Sequence, residues 1–339
     1  MKRLFFAVSK LLIAGFLIFN LSLVALTVFF SRQAINEHPM SGILVHADNA
    51  PSMHIIDSAA SAASDTDAAA NTVDADEPVI VLIHGASTSA LDFSTNLYPR
   101  ISADRRVIAI DRPGHGYSER GSMIETASPE QQALRILNTL DAINVQNVVL
   151  VGHSWAGAVV MAALLIDDSP VAVEAGVLIA GAVHPWEGGS AWHVEASARP
   201  VIGDIFVWQY IAPMGRVVLD SAVASVFLPD EVPENYTKNT GLTLSLRPHS
   251  YKANAVDRVH LSSHLEQLFP LYSTIDKPLL SIAASADTVV PMWNHHDRLI
   301  DHVPQLTASV IEGAGHSPHH SRTDDVVSAI ESFLHELDL

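Results

Sequence analysis

The stretch "NVVLVGHSWAGAVVMAALLI", residues 147–166, decides the fold. Its first half is an apolar run typical of a strand buried on both faces of a parallel sheet, and its second half favours helix. Ser154 stands at the junction, where a serine points away from the sheet edge and needs small neighbours, because the two backbones approach closely. Gly152 and Gly157 meet that need, while Ala156 occupies the position of the second glycine in G-x-S-x-G. The stretch predicts a nucleophile, and an ordinary turn that happens to hold a serine is the alternative.

Similar apolar runs recur along the chain, with helical patterns between them. The predicted strands cover residues 42–48, 53–59, 78–85, 106–111, 147–153, 175–182, 278–285 and 307–313. One predicted helix has Ser128 as its N-cap, and another closes the chain. This alternation predicts an α/β fold with an open, mostly parallel central sheet flanked by helices. We expect its core in two parts, residues 41–184 and 273–339.

The alternation stops over residues 185–272, which contain helix-like sequence and no clear strand. Because this interval follows a strand of the sheet, it is expected to lie over the carboxyl ends of the strands, where such sheets bind ligands. We interpret it as a helical cap. A set of ordinary peripheral helices would give the same pattern.

A low-complexity segment rich in Ala, Ser, Asp and Thr covers residues 59–77 and holds nothing large to bury. It predicts a flexible segment. Since two short strands precede it, we favour an insert between the second and third strands over a tether between membrane and domain.

The N-terminus, residues 1–33, carries the apolar run "LLIAGFLIFNLSLVALTVFF" at 11–30. Twenty helical residues span about 30 Å, the thickness of a bilayer's hydrocarbon layer. No A-x-A site follows, so an uncleaved transmembrane signal anchor is favoured over a cleaved signal. Lys2, Arg3 and Lys10 precede the run and one positive charge, Arg32, follows it. The charges predict a cytoplasmic N-terminus and a periplasmic or extracellular catalytic domain, or a secreted protein if the segment is cleaved.

Composition excludes several classes of function. The formal net charge of -18 argues against a nucleic-acid partner, which favours a basic surface. The chain has no cysteine, so disulfides, thiolate metal sites and cysteine nucleophiles are excluded. Dense histidines at 295–296 and 316–320 suggest a metal, but adjacent histidines diverge and no H-E-x-x-H pattern is present. We expect no metal and no cofactor.

Ser154 needs a base, and the base needs a carboxylate. Of 18 histidines, His316 is the best candidate. It follows the last predicted strand, and Gly313 and Gly315 let its loop carry the imidazole back across the sheet edge. His319 and His320 are the runners-up. Asp287 directly follows the strand at 278–285. Because Ser154, Asp287 and His316 each follow a strand, they are expected to meet at one sheet edge as a catalytic triad.

An oxyanion hole completes such a site. "LIHGAS" ends the strand at 78–85 with His84 and Gly85. We expect the backbone N–H groups of Ala86 and Trp155 to be the donors, with Ser87 a less favoured one. A simple turn at His84–Gly85 is the alternative.

The motifs "HGAS", "DRPGHGYS", "GHSWAG", "SADTVVP" and "GAGHSPH" together resemble those of the α/β-hydrolase family, in its capped esterase form, over residues 41–339. The resemblance implies that Ser154 is acylated, that His316 serves as base and then acid, and that Asp287 orients it. It gives the loop from Asp111 to Ser118 a shaping role without chemistry. Ala156 and the 59–77 insert depart from the family pattern.

The sequence therefore predicts a membrane-anchored serine hydrolase that cleaves a small, apolar carboxylic ester. His84, Trp186, Trp192 and Trp208 are candidates for its substrate pocket, although each tryptophan could equally pack the cap on the core. The alternatives are a ligand-binding protein on the hydrolase scaffold, a haloperoxidase-like enzyme, or a hydrolase of amides, thioesters or C–C bonds. The oligomeric state stays open.

Overall fold

A computed structural model describes residues 2–47, 50–59 and 77–339. Its centre is an eight-stranded sheet with the order β1-β2-β4-β3-β5-β6-β7-β8. The strands are β1 Ile43–Val45, β2 Met53–Asp57, β3 Val79–Ile83, β4 Val107–Ile110, β5 Asn147–His153, β6 Ala172–Ile179, β7 Leu279–Ala284 and β8 Leu306–Ile311. β2 pairs antiparallel with β1 and β4, and the other pairs are parallel. The predicted mostly parallel sheet is confirmed.

Helices cover the sheet and extend from it. They are α1 Lys2–Glu37, α2 Leu97–Ile101, α3 Pro129–Asp141, α4 Ala156–Leu164, α5 Trp192–Ala198, α6 Ile202–Phe206, α7 Ala212–Phe227, α8 Tyr236–Asn239, α9 Pro248–Leu268, α10 Met292–His302, α11 Pro318–Ser321 and α12 Thr323–Glu336. A π-helical turn, Val207–Ile211, joins α6 and α7 into one continuous rod. The Ser128 hydroxyl accepts from Gln131 N at 3.4 Å, which confirms the predicted N-cap of α3.

The core forms two layers, one on each face of the sheet. In β3, Val81 and Ile83 pack into the layer beneath α3, α4 and α9, while Ile80 and Leu82 pack into the layer beneath α2 and α12. This separation follows from the two-residue period of a strand. It accounts for strands that are apolar at every position.

The sixth strand ends earlier than predicted. The apolar run 175–182 indicated a strand through Ala182, but β6 ends at Ile179. Ala180 has φ +46° and Ala182 N donates to the Ser154 carbonyl at 2.9 Å, so these residues form a turn against the start of α4. Hydrophobicity alone does not separate a buried turn from a strand.

The segment 59–77 joins β2 to β3, as predicted for an insert between the second and third strands. Its residues 60–76 lie outside the described part of the chain. Its predicted flexibility stays a prediction.

Between β6 and β7 the described chain is helical, from α5 to α9. We propose residues 185–272 as the cap. The end of α7 lies on the loop before His316, where a Cβ on Gly315 would stand 2.4 Å from the Phe227 carbonyl oxygen. Asp230, just beyond α7, accepts from Gly315 N at 2.9 Å and pairs with Arg322 at 2.7 Å. These contacts attach the end of α7 to the loop before His316 and to the start of α12.

α1 leads into the sheet through a short, well-held link. Tyr117 OH donates to the His38 carbonyl, and the His54 imidazole bonds the Ser41 carbonyl. Gly42 has φ +87° and lies so close to the Ile55 carbonyl that a Cβ would stand 2.1 Å from its oxygen. The link is therefore fixed from both sides.

By length and composition, Phe5–Glu37 and Ile202–Phe227 could each span a membrane. The apolar side chains of the first are mostly exposed, as expected of a membrane anchor or a signal sequence. The second is the cap rod, which contacts the remaining cap helices.

Gly157→Ala is expected to lower the free energy of unfolding by about 1–3 kcal/mol, because a Cβ there would lie 2.8 Å from Gly181 Cα, in backbone that cannot move aside. Urea unfolding of the full chain in detergent measures this. Gly15→Ala in α1 is the matched control and should cost nothing, because a Cβ there meets nothing within 4 Å and alanine favours helix. Equal losses for both variants would contradict the close-approach explanation.

Candidate active site

Ser154 lies in the sharp turn between β5 and α4. It has φ +54°, a left-handed conformation that costs a non-glycine residue about 1–2 kcal/mol. The turn is held because Ser154 N donates to Ile179 O at 3.0 Å, and its carbonyl accepts from Gly157 N at 2.9 Å. At Gly152 a Cβ would stand 2.7 Å from the Ala156 carbonyl oxygen. The close approaches fall at Gly152 and Gly157, and Ala156 is accommodated in the core.

The structure brings Ser154, His316 and Asp287 together. His316 Nε2 lies 2.8 Å from Ser154 Oγ, and its Nδ1 lies 2.7 Å from Asp287 Oδ2. The other carboxylate oxygen, Oδ1, accepts from the backbone N–H groups of Val289 and Val290 at 2.7 and 2.9 Å. All three side chains are buried, each at most 8% exposed. This arrangement fixes the imidazole tautomer that can take a proton from the hydroxyl.

The runner-up histidines point elsewhere. His319 Nε2 and His320 Nε2 lie 3.2 and 2.9 Å from the two oxygens of Asp92. His153 points away from Ser154, with its Nε2 3.0 Å from the His316 carbonyl oxygen. His153 thus holds the backbone of His316, and of these histidines only His316 bonds the Ser154 hydroxyl in the described chain.

The backbone N–H groups of Ala86 and Trp155 donate to no acceptor in the part of the chain that the structure describes. They stand at the ends of β3 and β5, which are paired neighbours in the sheet. Ser87 N, the less favoured donor, instead donates to Asn254 Oδ1 at 2.7 Å. Ala86 and Trp155 thus retain free donors for a developing oxyanion.

The four candidates for the substrate pocket are scattered. His84 is fully buried, with Nδ1 2.8 Å from Gly85 O and Nε2 accepting from Arg112 N at 3.0 Å. Trp186 is partly exposed and meets the edge of His295. Trp192 and Trp208 are 74% and 46% exposed. The structure therefore places His84 in the core and the three tryptophans at the surface, and their role in a substrate pocket stays a prediction.

Residues 80–329 match the Alpha/beta hydrolase family. The chain belongs to this family. It is 26% identical over 271 residues to an sn-1-specific diacylglycerol lipase of Xenopus laevis, a match that covers 76% of this chain and 80% of the relative. The family and its esterase and lipase relatives make the chain a hydrolase.

Solved structures share the fold. A thermophilic esterase from Thermogutta terrifontis matches with a TM-score of 0.66 at 18% identity, over 87% of this chain and 98% of that one. A membrane phospholipase A that is a bacterial virulence factor also matches, with a TM-score of 0.64 at 18% identity. The match covers 100% of this chain and 99% of that one.

The hydrolase also has a buried cluster of histidines beside His316. Asp92, His153 and His319 each bring one nitrogen or oxygen atom within 4.8 Å of the others. The Asp92 oxygens, however, already pair with His319 and His320. Although burial alone would raise it, these imidazoles hold the pKa of Asp92 well below its usual range. The absence of a metal stays a prediction.

The second dense pair of histidines diverges, as expected for adjacent residues. His295 Nδ1 accepts from the backbone N–H groups of Val183 and His184, both at 3.1 Å. His296 Nδ1 instead lies 2.8 Å from Ser281 Oγ on β7. His295 thus ties α10 to the loop after β6, and His296 ties it to the middle of β7.

Sequence reasoning missed three residues around the turn at residues 84–87, which holds the expected oxyanion donor Ala86 and is named the oxyanion turn. Arg112 and Asn254 bond this turn, and Asp257 holds Arg112. Arg112 lies in "DRPGHGYS", a motif interpreted as a shaping loop. Its partner Asp257 is 145 residues away in the chain, so no local pattern could have revealed the pair.

The hydrolase is expected to lose stability as pH falls from 6.5 towards 4. Burial lowers the pKa of His84, His295 and His319 to about 4 in each case. Between the unfolded pKa of about 6.5 and this value, only the unfolded chain takes up their protons, so each histidine costs about 1.4 kcal/mol per pH unit. Urea unfolding at pH 7.5, 6 and 5 measures the slope. A stability that stays flat over this range would contradict the neutral buried state.

Proposed function

We propose that the chain is a serine hydrolase of carboxylic esters that works through an acyl-enzyme. The observation that carries this proposal is the continuous chain of hydrogen bonds from Ser154 Oγ through His316 to Asp287, at 2.8 and 2.7 Å. A hydroxyl is a weak nucleophile alone and is activated by such a base. The esterase and lipase names of the relatives support the choice of bond.

The geometry implies the order of events. Ser154 Oγ attacks the ester carbonyl carbon while His316 Nε2 takes its proton. The carbonyl oxygen gains the negative charge and accepts from Ala86 N–H and Trp155 N–H. The C–O bond to the alcohol then breaks, and His316 returns the proton to the leaving oxygen. Water repeats the sequence on the acyl-enzyme, while Asp287 holds the imidazole ring and stabilises the imidazolium.

Ser154→Ala should lower kcat for p-nitrophenyl butyrate by at least about 10⁴-fold without unfolding the protein, because the nucleophile is lost. Asp287→Asn should lower it by about 10⁴-fold, through the wrong imidazole tautomer. Asp301→Asn, an exposed residue near the end of α10, is the control and should leave kcat unchanged. Unaltered turnover in Ser154→Ala, or failure of a fluorophosphonate probe to label Ser154 in the wild type, would refute the triad.

A panel of ester, lactone, thioester and amide substrates separates the proposed reaction from its alternatives. Slow hydrolysis with retention of a tightly bound product would favour a binding protein on the same scaffold.

We propose further that α1 anchors the hydrolase in a membrane, with its N-terminus in the cytoplasm and the catalytic domain outside. The C-terminal half of α1 packs on the cap rod, where the Arg216 guanidinium lies 4.7 Å from the centre of the Phe30 ring. The rod next to it exposes Ile202, Ile205 and Val217, the last at 84%. An apolar surface continuous with an anchor helix fits the acyl region of a bilayer.

Such a surface supports a position of the cap against membrane lipids. Two compared proteins are described as a diacylglycerol lipase and a membrane phospholipase A. We therefore propose acyl esters of membrane glycerolipids as the substrate class, a narrower choice than small apolar esters in general.

The double variant Ile205→Asp, Val217→Asp should lose about ten-fold or more of its activity on phospholipid vesicles, because two charges on the cap rod oppose contact with the acyl region. Its activity on soluble p-nitrophenyl butyrate should stay unchanged. Ile300→Asp, a half-exposed isoleucine on α10 of the core, is the control. Equal vesicle activity in all three proteins would show that the rod does not face the lipid.

A further inference from the structure

Polar side chains bond the carbonyl oxygen of the peptide that joins Gly85 to Ala86. Its N–H is the proposed oxyanion donor, and its C=O points the opposite way. Arg112 Nη2 donates to the Gly85 oxygen at 3.1 Å, and Arg112 Nε donates to the His84 oxygen at 3.0 Å. Since His84 Nε2 accepts from Arg112 N, its Nδ1 carries the proton and donates to the same Gly85 oxygen at 2.8 Å. Donors on the carbonyl fix the plane of the peptide and strengthen its N–H as a donor.

Arg112 is itself held by a buried carboxylate. Arg112 and Arg120 bond opposite oxygens of Asp257, at 2.8 and 2.6 Å, and all three side chains are shielded from water. Of the two arginines, Arg112 bonds the carbonyls of His84 and Gly85, while Arg120 bonds those of Pro113 and Met123. The ion pair with Asp257 therefore fixes the guanidinium that holds the Gly85–Ala86 peptide.

The same pair also holds the second donor. The Arg112 guanidinium lies 4.1 Å from the centre of the Trp155 indole, and Trp155 Nε1 donates to the Asp257 carbonyl at 3.2 Å. The residue whose backbone N–H is the other oxyanion donor is thus packed between Arg112 and Asp257.

The far side of Ala86 is fixed by the cap. Ser87 has φ +62°, and Asn254 accepts from its N–H at 2.7 Å while donating to its hydroxyl at 3.0 Å. Asn254 and Asp257 lie three residues apart on α9, hence on one face of that helix. One helix of the proposed cap therefore supports both sides of the oxyanion turn.

We propose that Arg112 is a positioning residue for the oxyanion hole, held in place by Asp257 and assisted by Asn254. It acts through the Gly85–Ala86 peptide and the Trp155 ring, and it does not touch the substrate. This inference rests on the proposed serine-hydrolase function. If it is correct, the geometry of the oxyanion hole before substrate binds depends on how α9 packs against the core.

Arg112→Met and Arg112→Lys test the inference against Arg120→Met, which removes an equally buried partner of Asp257 that does not bond the Gly85–Ala86 peptide. The full chain in detergent is assayed with p-nitrophenyl butyrate. Arg112→Met should lower kcat by about 10–100-fold with KM within about three-fold, because the hole binds the transition state more than the substrate. Arg112→Lys should recover part of that loss. Arg120→Met should keep kcat within about three-fold while losing similar thermal stability.

Two further readouts separate positioning from general damage. Affinity for a trifluoromethyl ketone, which forms an oxyanion on Ser154, should fall by the same factor as kcat/KM across the Arg112 variants. The pH profile of kcat should keep its inflection, since the bonds between His316 and Asp287 are untouched. Equal losses of kcat in Arg112→Met and Arg120→Met, or unchanged ketone affinity, would overturn the proposal.

Two safeguards keep the test decisive. If Arg112→Met does not fold, the comparison of Arg112→Lys with Arg120→Lys carries the same expectations. If the wild type hydrolyses no ester, the proposed function fails, and the rate of fluorophosphonate labelling of Ser154 then tests Arg112 alone. A slower rate in Arg112→Lys than in Arg120→Lys supports the inference, and equal rates overturn it.

Discussion

The active end of this molecule depends on how closely α4 packs against the backbone around it. A side chain at Gly152 of β5 would collide with the Ala156 carbonyl, and one at Gly157 of α4 would collide with Gly181 in the turn after β6, each at less than 3 Å, so α4 can meet these segments only through glycine. The turn between β5 and α4 forces Ser154 into a left-handed conformation. That conformation is costly, and it persists because the surrounding bonds over-determine it. The hydroxyl is thereby raised off the sheet edge, where residues from β7 and β8 can reach it.

A second constraint is the charge enclosed beneath the oxyanion turn. Burial lowers the pKa of Arg112 to about 10, so the guanidinium stays ionised at neutral pH. A buried guanidinium is costly unless each of its N–H groups has an acceptor. Here Asp257 accepts from Nη1, and the carbonyls of His84 and Gly85 accept from Nε and Nη2. Apolar replacement of a buried ion pair is often equally stable, so stability alone does not account for this cluster.

The sequence predicted the features that follow from local patterns and strand ends, and it missed contacts between residues that are distant in the chain. The meeting of Ser154, His316 and Asp287 was predictable because each residue follows a strand, and parallel strands bring their carboxyl ends to one edge. Ala156 departs from the family pattern, but the close backbone contacts fall on Gly152 and Gly157. Trp192 and Trp208 were candidates for an apolar wall of the substrate pocket, yet they are 74% and 46% exposed. The bonds from Asp92 to His319 and His320, and the pair of Arg112 with Asp257, join segments more than 100 residues apart and leave no local pattern.

The firmly held link between α1 and β1 has a consequence for how this hydrolase would meet its substrate. Five residues, 38–42, separate the helix from the sheet, a reach of at most about 17 Å even if fully extended. Bonds to His38 and Ser41 remove most of that slack. A domain held this closely to a bilayer could not tumble, and the site around Ser154 would stay at a fixed height and tilt above the lipid. It would find substrate by drifting in two dimensions, and its turnover would follow the surface density of lipid, not its bulk concentration.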